Sequence, residues 1–263
     1  MPYRFAKERQ DYSDYSGGRV FYSLPDHPAF PIRLASEIFQ RCAAIREANG
    51  ATAPCTLYDP CCGGAYHLGT LAYLHWHAIA EIIASDVDEQ PLSLAKRNLA
   101  LLTLPGIEQR IAEITQMLSA YNKPSHAAAL KSAHALKNRL SSLTDTHPIK
   151  TSLFRADATD GQALVAGLGN KTIDVVITDV PYGQHSNWQT RDSGQPPAPS
   201  PVWQMLEALL DVVSPHTIVA VAADKQQKIA HPGYRRLERF RMGKRQIVLL
   251  KTNSCVGDNR VQW

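Results

Sequence analysis

The sequence predicts an α/β fold of the Rossmann-like, doubly wound type, with a mostly parallel seven-stranded sheet. Three observations lead to this prediction. Short apolar segments without polar alternation are separated by segments of helical periodicity, a pattern typical of parallel strands that are covered on both faces. Two segments that flank Gly243-Lys244 have the character of a hairpin, so the sheet should end with an antiparallel C-terminal hairpin strand. Residues 104–150 have helical composition and are too many for an ordinary loop, which indicates a helical insertion.

The predicted elements follow one another along a single domain that spans residues 1–263. Residues 1–30 form an irregular leader, punctuated by glycine and proline. Pro31 suits the first position of the first helix, and Asn49-Gly50 ends that helix. The strands are predicted at 55–58, 80–85, 151–155, 173–178, 217–223, 234–242 and 245–252, with further helices at 68–77, 91–102 and 202–213.

Charge and composition exclude several classes of protein. The chain has 28 Lys and Arg against 24 Asp and Glu, and this net charge of +4 permits an anionic partner without requiring one. No apolar run is long enough to span a membrane, and the first residues lack the apolar core of a signal peptide. The five cysteines form no Cys-x-x-Cys pair, so we expect no metal site and no disulfides, but thiols in a cytoplasmic protein. We expect a monomer.

Acidic residues follow three successive predicted strands: Asp59, Asp86 and Asp157. Ligands of doubly wound sheets lie beyond the carboxyl ends of the strands. Asp86 comes 23 residues after Gly63, a spacing at which an acid can bind both hydroxyls of a ribose. Asp157 and the backbone N–H of Ala158 can pair with an adenine edge. Each acid alone could cap a helix, but three at successive strand ends indicate a nucleoside site.

The turn after Asp59 distinguishes between cofactors. A dinucleotide site needs G-x-G-x-x-G, so that glycines and a helix N-terminus receive the pyrophosphate. This turn carries only Gly63 and Gly64, and a carboxylate beside a pyrophosphate is repulsive. The same carboxylate suits a cationic amino group, so S-adenosylmethionine, an adenosine that carries an amino acid, fits the turn better than NAD. A tight structural turn is the simpler alternative.

A second motif, Asp179-Val180-Pro181-Tyr182-Gly183, follows the most apolar predicted strand. A planar base stacked on Tyr182 would gain about 1–3 kcal/mol. Its exocyclic amino group could donate to the Asp179 carboxylate and to the Val180 carbonyl. These bonds would aim the nitrogen lone pair at a methyl group, so catalysis would rest mainly on positioning. A β-turn with a packed tyrosine is the structural alternative.

The order of these motifs resembles that of the class I S-adenosylmethionine-dependent methyltransferases. The motif at Asp179 is similar to the (Asp/Asn)-Pro-Pro-(Tyr/Phe) signature of amino-group methyltransferases, and its D-x-P-Y-G form resembles enzymes that act on the N2 amine of guanine in RNA. Nearly the whole chain resembles the AviRa-type rRNA guanine methyltransferases of avilamycin resistance. The segments that carry this resemblance are 29–41 (AFPIRLASEIFQR), 59–63 (DPCCG), 83–88 (IASDVD), 96–102 (KRNLALL), 123–125 (KPS) and 178–183 (TDVPYG).

The resemblance implies a role for each matched residue. It implies that the glycine turn holds the methionine part of the cofactor, that the next two strand ends take ribose and adenine, and that the motif 179–182 holds the target base. The implied cofactor-binding residues are Asp59, Cys61, Gly63, Gly64, Asp86, Val87, Asp157, Ala158 and Asp179, and the implied catalytic residues are Asp179, Val180, Pro181 and Tyr182. Two positions depart from the family pattern: Gly64-Ala65 stands where Ser-Gly is usual, and Val180 replaces a proline.

Residues that bind substrate are less evident from the sequence. We predict phosphate contacts at Lys123 in the insertion and at Arg235, Arg236, Lys244 and Arg245 in the terminal hairpin, although a solvated charged surface is an equally simple explanation. The expected function is methylation of a guanine base of 23S rRNA, with rRNA or the large ribosomal subunit as partner. Two alternatives stay open: an amino-group methyltransferase acting on DNA adenine or a protein glutamine, and a non-catalytic RNA-binding protein with this fold.

Overall fold

The computed structural model describes residues 3–23, 29–180 and 199–253, which form one seven-stranded sheet flanked by helices. The strands are β1 (Cys55–Asp59), β2 (Ile79–Asp86), β3 (Lys150–Arg155), β4 (Val175–Asp179), β5 (Ile218–Asp224), β6 (Tyr234–Met242) and β7 (Arg245–Thr252). The helices are α1 (Ile32–Ala48), α2 (Tyr66–His75), α3 (Glu89–Ala100), α4 (Leu104–Tyr121), α5 (Pro124–Thr144), α6 (Gly161–Leu168) and α7 (Pro201–Leu209), with 3₁₀ turns at Ser13–Tyr15 and Trp76–Ala78.

The sheet has the order β3-β2-β1-β4-β5-β7-β6. Strands β1 to β5 are parallel, and β7 runs antiparallel to both β5 and β6. The strand order reverses between β1 and β4, which is where a doubly wound sheet opens a crevice for ligands. The predicted fold class is therefore confirmed, including the antiparallel hairpin strand and the helical insertion.

The central strands are apolar because both of their faces are covered. Leu57 and Val175 pair across β1 and β4 and contribute to the core on one face of the sheet. Their neighbours Tyr58 and Val176 also pair, and they point into the core on the other face. This arrangement explains why the sequence of β4 lacks polar alternation.

Helix α6 is absent from the predicted elements. It has eight residues and includes Gly167, so its periodicity is weak. Asp160 caps its N-terminus by accepting hydrogen bonds from the backbone N–H groups of Gln162 and Ala163. Such an N-cap aspartate is the signal by which the helix could have been found.

The insertion consists of the antiparallel helices α4 and α5, joined at Asn122, which adopts a left-handed conformation (φ 44°). Helix α5 packs beside α2, since the guanidinium of Arg139 donates to the carbonyl of Tyr73 at 2.8 Å. One face of α5 is buried against the body of the protein, and we call this pair of helices the helical arm.

The direction of α5 places the tip of the arm on the same side as the carboxyl ends of the strands. Helix α2 begins at this edge with Tyr66, whose hydroxyl donates to the carbonyl of Tyr15. Ser132 of α5 donates to the adjacent Asp14 at 2.6 Å, which sets the level of α5 at that point. The first residue of α5, Pro124, lies two turns further out, a distance of about 12 Å.

The leader is bound firmly to the domain in the residues that the structure describes. The carboxylate of Glu37 accepts hydrogen bonds from the backbone N–H groups of Arg4, Phe5 and Ala6. Phe21 is fully buried in the core. Within the described ranges, no helix is long and apolar enough to cross a membrane.

Candidate functional site

The three predicted acids lie at the carboxyl ends of neighbouring strands, and each uses one carboxylate oxygen in the same way. Oδ1 of Asp59 accepts a hydrogen bond from the N–H of Cys61, two residues later. Asp86 and Asp157 accept in the same manner from the N–H groups of Asp88 and Thr159. The acids therefore hold their own turns, and this local role leaves the second carboxylate oxygen of each residue for other partners.

The glycine turn is tied to β2 and α3. Gly63 adopts a left-handed conformation (φ 51°), and its N–H donates to Oδ2 of Asp86 at 2.8 Å. A Cβ atom on Gly64 would lie 2.8 Å from the end of the Leu94 side chain, so α3 packs closely against this glycine. The side chain of Asn98, fully buried in α3, donates to the carbonyl of Gly64 at 2.8 Å.

Ala65 differs from the family pattern without entering the site. Its backbone is left-handed (φ 53°), a conformation in which a glycine would be unstrained. Its methyl group is fully buried and belongs to the hydrophobic core. The extra methyl group of this chain therefore lies in the core, beneath the turn.

Asp179 ends β4, beside the end of β1. Burial raises the pKa of Asp179 to about 6, against the opposing charges of Arg245 and His67, while Asp59 adds to the increase. Val180 continues the ladder, because its N–H donates to the carbonyl of Ala222 at 3.0 Å, and its side chain is fully buried. Pro181 and Tyr182 lie outside the described residues.

Asp59 and Asp179 form a group with three further residues, His67, Arg245 and Phe30. We call these five residues the charge bridge. Nε2 of His67, in α2, lies 3.0 Å from Oδ2 of Asp59. Nε of Arg245, at the start of β7, lies 3.7 Å from Oδ1 of Asp179. The ring of Phe30 lies against both cations, with 5.8 Å between its centroid and that of His67 and 5.3 Å to the Arg245 guanidinium carbon.

Sequence reasoning missed His67, Phe30 and the position of Arg245. A single histidine among ten gives no signal of its own, although it lies eight residues after Asp59 in the same strand–turn–helix unit. The phosphate contact of Arg245 stays a prediction, and the structure adds that its guanidinium lies beside Asp179 with its side chain 21% exposed. Its position in the site depends on the pairing of β7 with β5, which no local pattern specifies.

The remaining predicted residues fall into two groups. Ala158 is buried next to Asp157, and the carbonyl of Val87 accepts a hydrogen bond from Arg155. The predicted RNA contacts other than Arg245 are exposed, at the tip of the arm and along the hairpin: Lys123, Arg235, Arg236 and Lys244.

The chemistry of the strand-end residues fits S-adenosylmethionine. Ribose hydroxyls call for a carboxylate, and Asp86, which is partly exposed, presents one at the end of β2 beside the switch point of the sheet, whereas Asp59 is fully buried and holds the neighbouring turn. A Cβ atom on Gly63 would meet no atom within 4 Å, so the turn is open on the side of the ligand crevice. In the part of the chain that the structure describes, no group of His, Cys, Asp or Glu is suited to hold a metal ion.

A Rossmann-like sheet with carboxylates at the ends of β1, β2 and β4 defines the class I methyltransferase architecture. Within this class, the family model described as rRNA methyltransferase AviRa matches residues 1–245, and the chain belongs to this family. The resemblance seen in the sequence is confirmed.

Individual relatives agree with this assignment. The chain is 41% identical over 249 residues to a 23S rRNA (guanine(2535)-N(1))-methyltransferase of Streptomyces viridochromogenes, with 95% of each chain covered. It is also similar to two crystal structures of rRNA methyltransferase AviRa from the same organism. The identities are 40% and 38%, both TM-scores are 0.83, and each comparison covers 95% of this chain and 96% of the other.

Proposed function

We propose that this protein transfers a methyl group from S-adenosylmethionine to a guanine base of 23S rRNA. The observation that carries the proposal is the mostly buried carboxylate of Asp179, held at the switch point of the sheet beside the acids that suit an adenosine ligand. The similar Streptomyces enzyme acts on N1 of a guanine in 23S rRNA, according to its name. Such a substrate would place this protein in the cytoplasm, with the ribosomes.

The cofactor would lie across the carboxyl ends of β1, β2 and β3. The turn with Cys61, Gly63 and Gly64, which the buried Asp59 holds through the N–H of Cys61, would receive the amino-acid part. Asp86 would accept the ribose hydroxyls, with the Val87 backbone beside them. Asp157 and Ala158 would pair with adenine. Each charge-assisted hydrogen bond of this kind contributes about 1.5–3 kcal/mol.

The target base would lie beyond β4, next to Asp179. S-adenosylmethionine supplies, when bound, a methyl group on a sulfonium, and the transfer leaves a neutral thioether. Methylation of N1 of a guanine also requires that this ring nitrogen lose its proton, which is not required of an exocyclic amine with a free lone pair. The carboxylate of Asp179 would accept that proton, and its pKa of about 6 leaves it ionised at neutral pH and better matched to this task than an ordinary aspartate.

The residues around Asp179 would orient the base. Arg245 lies 3.7 Å from the carboxylate and favours its ionised form. By the family pattern, the Val180 carbonyl and Pro181 would frame the base, and Tyr182 would stack on it for about 1–3 kcal/mol. Positioning of this kind supplies much of the rate acceleration when the leaving group is neutral.

Two exposed basic surfaces would hold the rRNA. The tip of the arm carries Lys123 and Tyr121, whose ring is 66% exposed and lies 5.8 Å from the Lys123 ammonium. No acidic residue occurs between Glu113 and Asp145, so the charged side chains of this stretch are all basic. The second surface is the edge strand β6 with its turn, where Arg235, Arg236 and Lys244 are exposed.

The direct test is methyl transfer with labelled cofactor to three substrates offered separately: 23S rRNA, genomic DNA and ribosomal protein. We expect label in 23S rRNA and none in the other two. Label in DNA or protein instead would replace the proposed substrate with one of the amino-group alternatives. Calorimetry that detects no S-adenosylmethionine binding, with or without rRNA, would favour a non-catalytic RNA-binding protein.

A further inference from the structure

Asp59 and Asp179 belong to adjacent strands, and their proximity creates an electrostatic problem. Asp59 is fully buried, and Asp179 is mostly so. Two buried carboxylates repel each other, so ionisation of both is unfavourable unless a cation lies near them. Burial raises the pKa of Asp179, and the charge of Asp59 acts in the same direction.

His67 lies in direct contact with one of these two carboxylates. Its imidazole is 8% exposed, and Nε2 is 3.0 Å from Oδ2 of Asp59. Burial alone would lower the pKa of His67, but the close contact with the charged Asp59, helped by Asp179 and the carbonyl of Ile177, raises it overall. These neighbours stabilise the charged form of the ring, in which both nitrogens can donate.

The groups that face the imidazole come from four parts of the fold. Asp59 approaches from the end of β1 and Asp179 from the end of β4. The leader contributes the ring of Phe30, which stacks at a tilt of 60° and excludes water from this side. Arg245 of β7 lies 3.7 Å from Asp179 and also contacts the ring of Phe30, so each of the two carboxylates has a cation beside it.

We propose that His67 is a positioning residue: as an imidazolium it pairs with the Asp59 carboxylate at the cofactor end of the site, and its charge also stabilises the Asp179 carboxylate at the base end. The inference rests on the proposed function, since it assigns those two carboxylates to cofactor and base. It has a clear consequence: the charge of His67 keeps Asp179 ionised at a pH where burial and Asp59 would otherwise protonate it. The charge of His67 therefore couples the cofactor end of the site to the base end.

The directions of these pKa shifts determine how the methyl-transfer rate should depend on pH. Asp179 must be ionised to accept a proton, so the methyl-transfer rate should fall as the pH drops below about 6. Removal of the His67 charge raises the pKa of Asp179 further, so the acid limb moves to higher pH. A change of one neighbouring charge shifts a pKa by about one unit. The methyl-transfer rate should therefore fall about tenfold at a pH below the acid limb and change little at a pH well above it.

The experiment compares His67→Gln with His75→Gln in single-turnover reactions with 23S rRNA, from about pH 5.5 to about pH 8.5. Glutamine keeps a hydrogen-bond donor for Asp59 but not the charge. His75 is the matched control, because it lies in the same helix and contacts Ser36 and Phe39 instead of a carboxylate. We expect the acid limb of His67→Gln to move up by about one pH unit, and that of His75→Gln to stay in place.

A second readout does not depend on activity. Nitrogen NMR of the imidazole rings in the wild-type protein should show His67 titrating above the ordinary pKa of histidine, and Asp59→Asn should lower its midpoint. This measurement decides the matter even if His67→Gln does not fold. It also decides the matter if the wild type fails to methylate rRNA, a result that counts against the proposed function alone.

The inference is overturned by either of two results in an active wild type. One is an acid limb in His67→Gln that coincides with that of the wild type. The other is a His67 ring that is neutral at neutral pH, with a midpoint at or below the ordinary value. Both results would leave the proposed methylation of rRNA untouched.

Discussion

The charge bridge buries its charged side chains, whereas the helical arm exposes them to solvent. In the charge bridge, Asp59 and His67 are buried and lie 3.0 Å apart, so each group alters the pKa of its neighbours. At the tip of the arm, Lys123 is exposed and its nearest ring contact, Tyr121, is itself 66% exposed. Removal of a single charge should therefore have a large effect in the buried charge bridge, whereas at the exposed tip of the arm the small effects of several charges add up.

The largest effect is expected from Asp179→Asn, which removes the proposed proton acceptor while keeping its size. Methyl transfer should fall by about 10²–10⁴-fold, because a general base contributes rate of this order. S-adenosylmethionine binding, measured by calorimetry, should change little. Asp160→Asn is the matched control, since asparagine caps α6 as well as aspartate does. Full activity of Asp179→Asn would contradict the assignment of the base.

Asp86→Asn tests the cofactor end of the same region. The variant keeps one acceptor oxygen but loses the charge, so its affinity for S-adenosylmethionine should drop by about 10–100-fold, the loss of one charge-assisted bond. The rate at saturating cofactor should stay within severalfold of the wild type. Asp88→Asn serves as the control, because Asp88 only caps α3 by accepting from the N–H of Gln90. Equal affinities of the two variants would refute the ribose role of Asp86.

The arm and the hairpin should respond additively instead. Lys123→Gln, Arg235→Gln, Arg236→Gln and Lys244→Gln should each weaken rRNA binding severalfold at low salt. Each should also reduce the slope of log affinity against log salt by about 0.7–0.9. Filter binding over a range of salt concentrations measures both quantities. A single variant that abolishes binding would contradict the expected additivity. An unchanged slope in a variant that combines all four substitutions would show that these surfaces do not bind phosphates.

The smallest effect is expected from Ala65→Gly. Glycine relieves the left-handed backbone but loses a buried methyl group, so the free energy of unfolding should change by no more than about 1 kcal/mol. Cofactor affinity should not change, because the methyl group lies in the core. Gly63→Ala gives the contrast: its new methyl group would point into the open side of the turn, and cofactor affinity should fall. Chemical denaturation and calorimetry measure the two quantities.

The sequence predicts the parts of this site that depend on strand ends. Each acid lies at or just after the end of a strand, and the carboxyl ends of parallel strands meet at one edge, so Asp59, Asp86 and Asp157 could be placed together from the sequence alone. His67 and Arg245 could not be placed in this way. The first depends on how α2 rotates against β1 and β4, and the second on the pairing of β7 with β5.

Local sequence patterns also do not predict which distant segments of the chain pack together. Asn98 is a polar residue within an amphipathic helix, yet it is fully buried and joins the leader to the glycine turn through Tyr22 and Gly64. Only the folded chain brings these three segments together. Helix α6 was missed for the opposite reason, because its signal is local but short.

The central claim is that this site methylates a guanine of 23S rRNA with Asp179 as proton acceptor. Mass spectrometry of nuclease digests of 23S rRNA, after reaction with the wild type or with Asp179→Asn, tests it most directly. The account predicts one additional methyl group on a guanine base, at N1, in the wild-type reaction only. A methyl group on another base or on the ribose, or the same modification from Asp179→Asn, would contradict it.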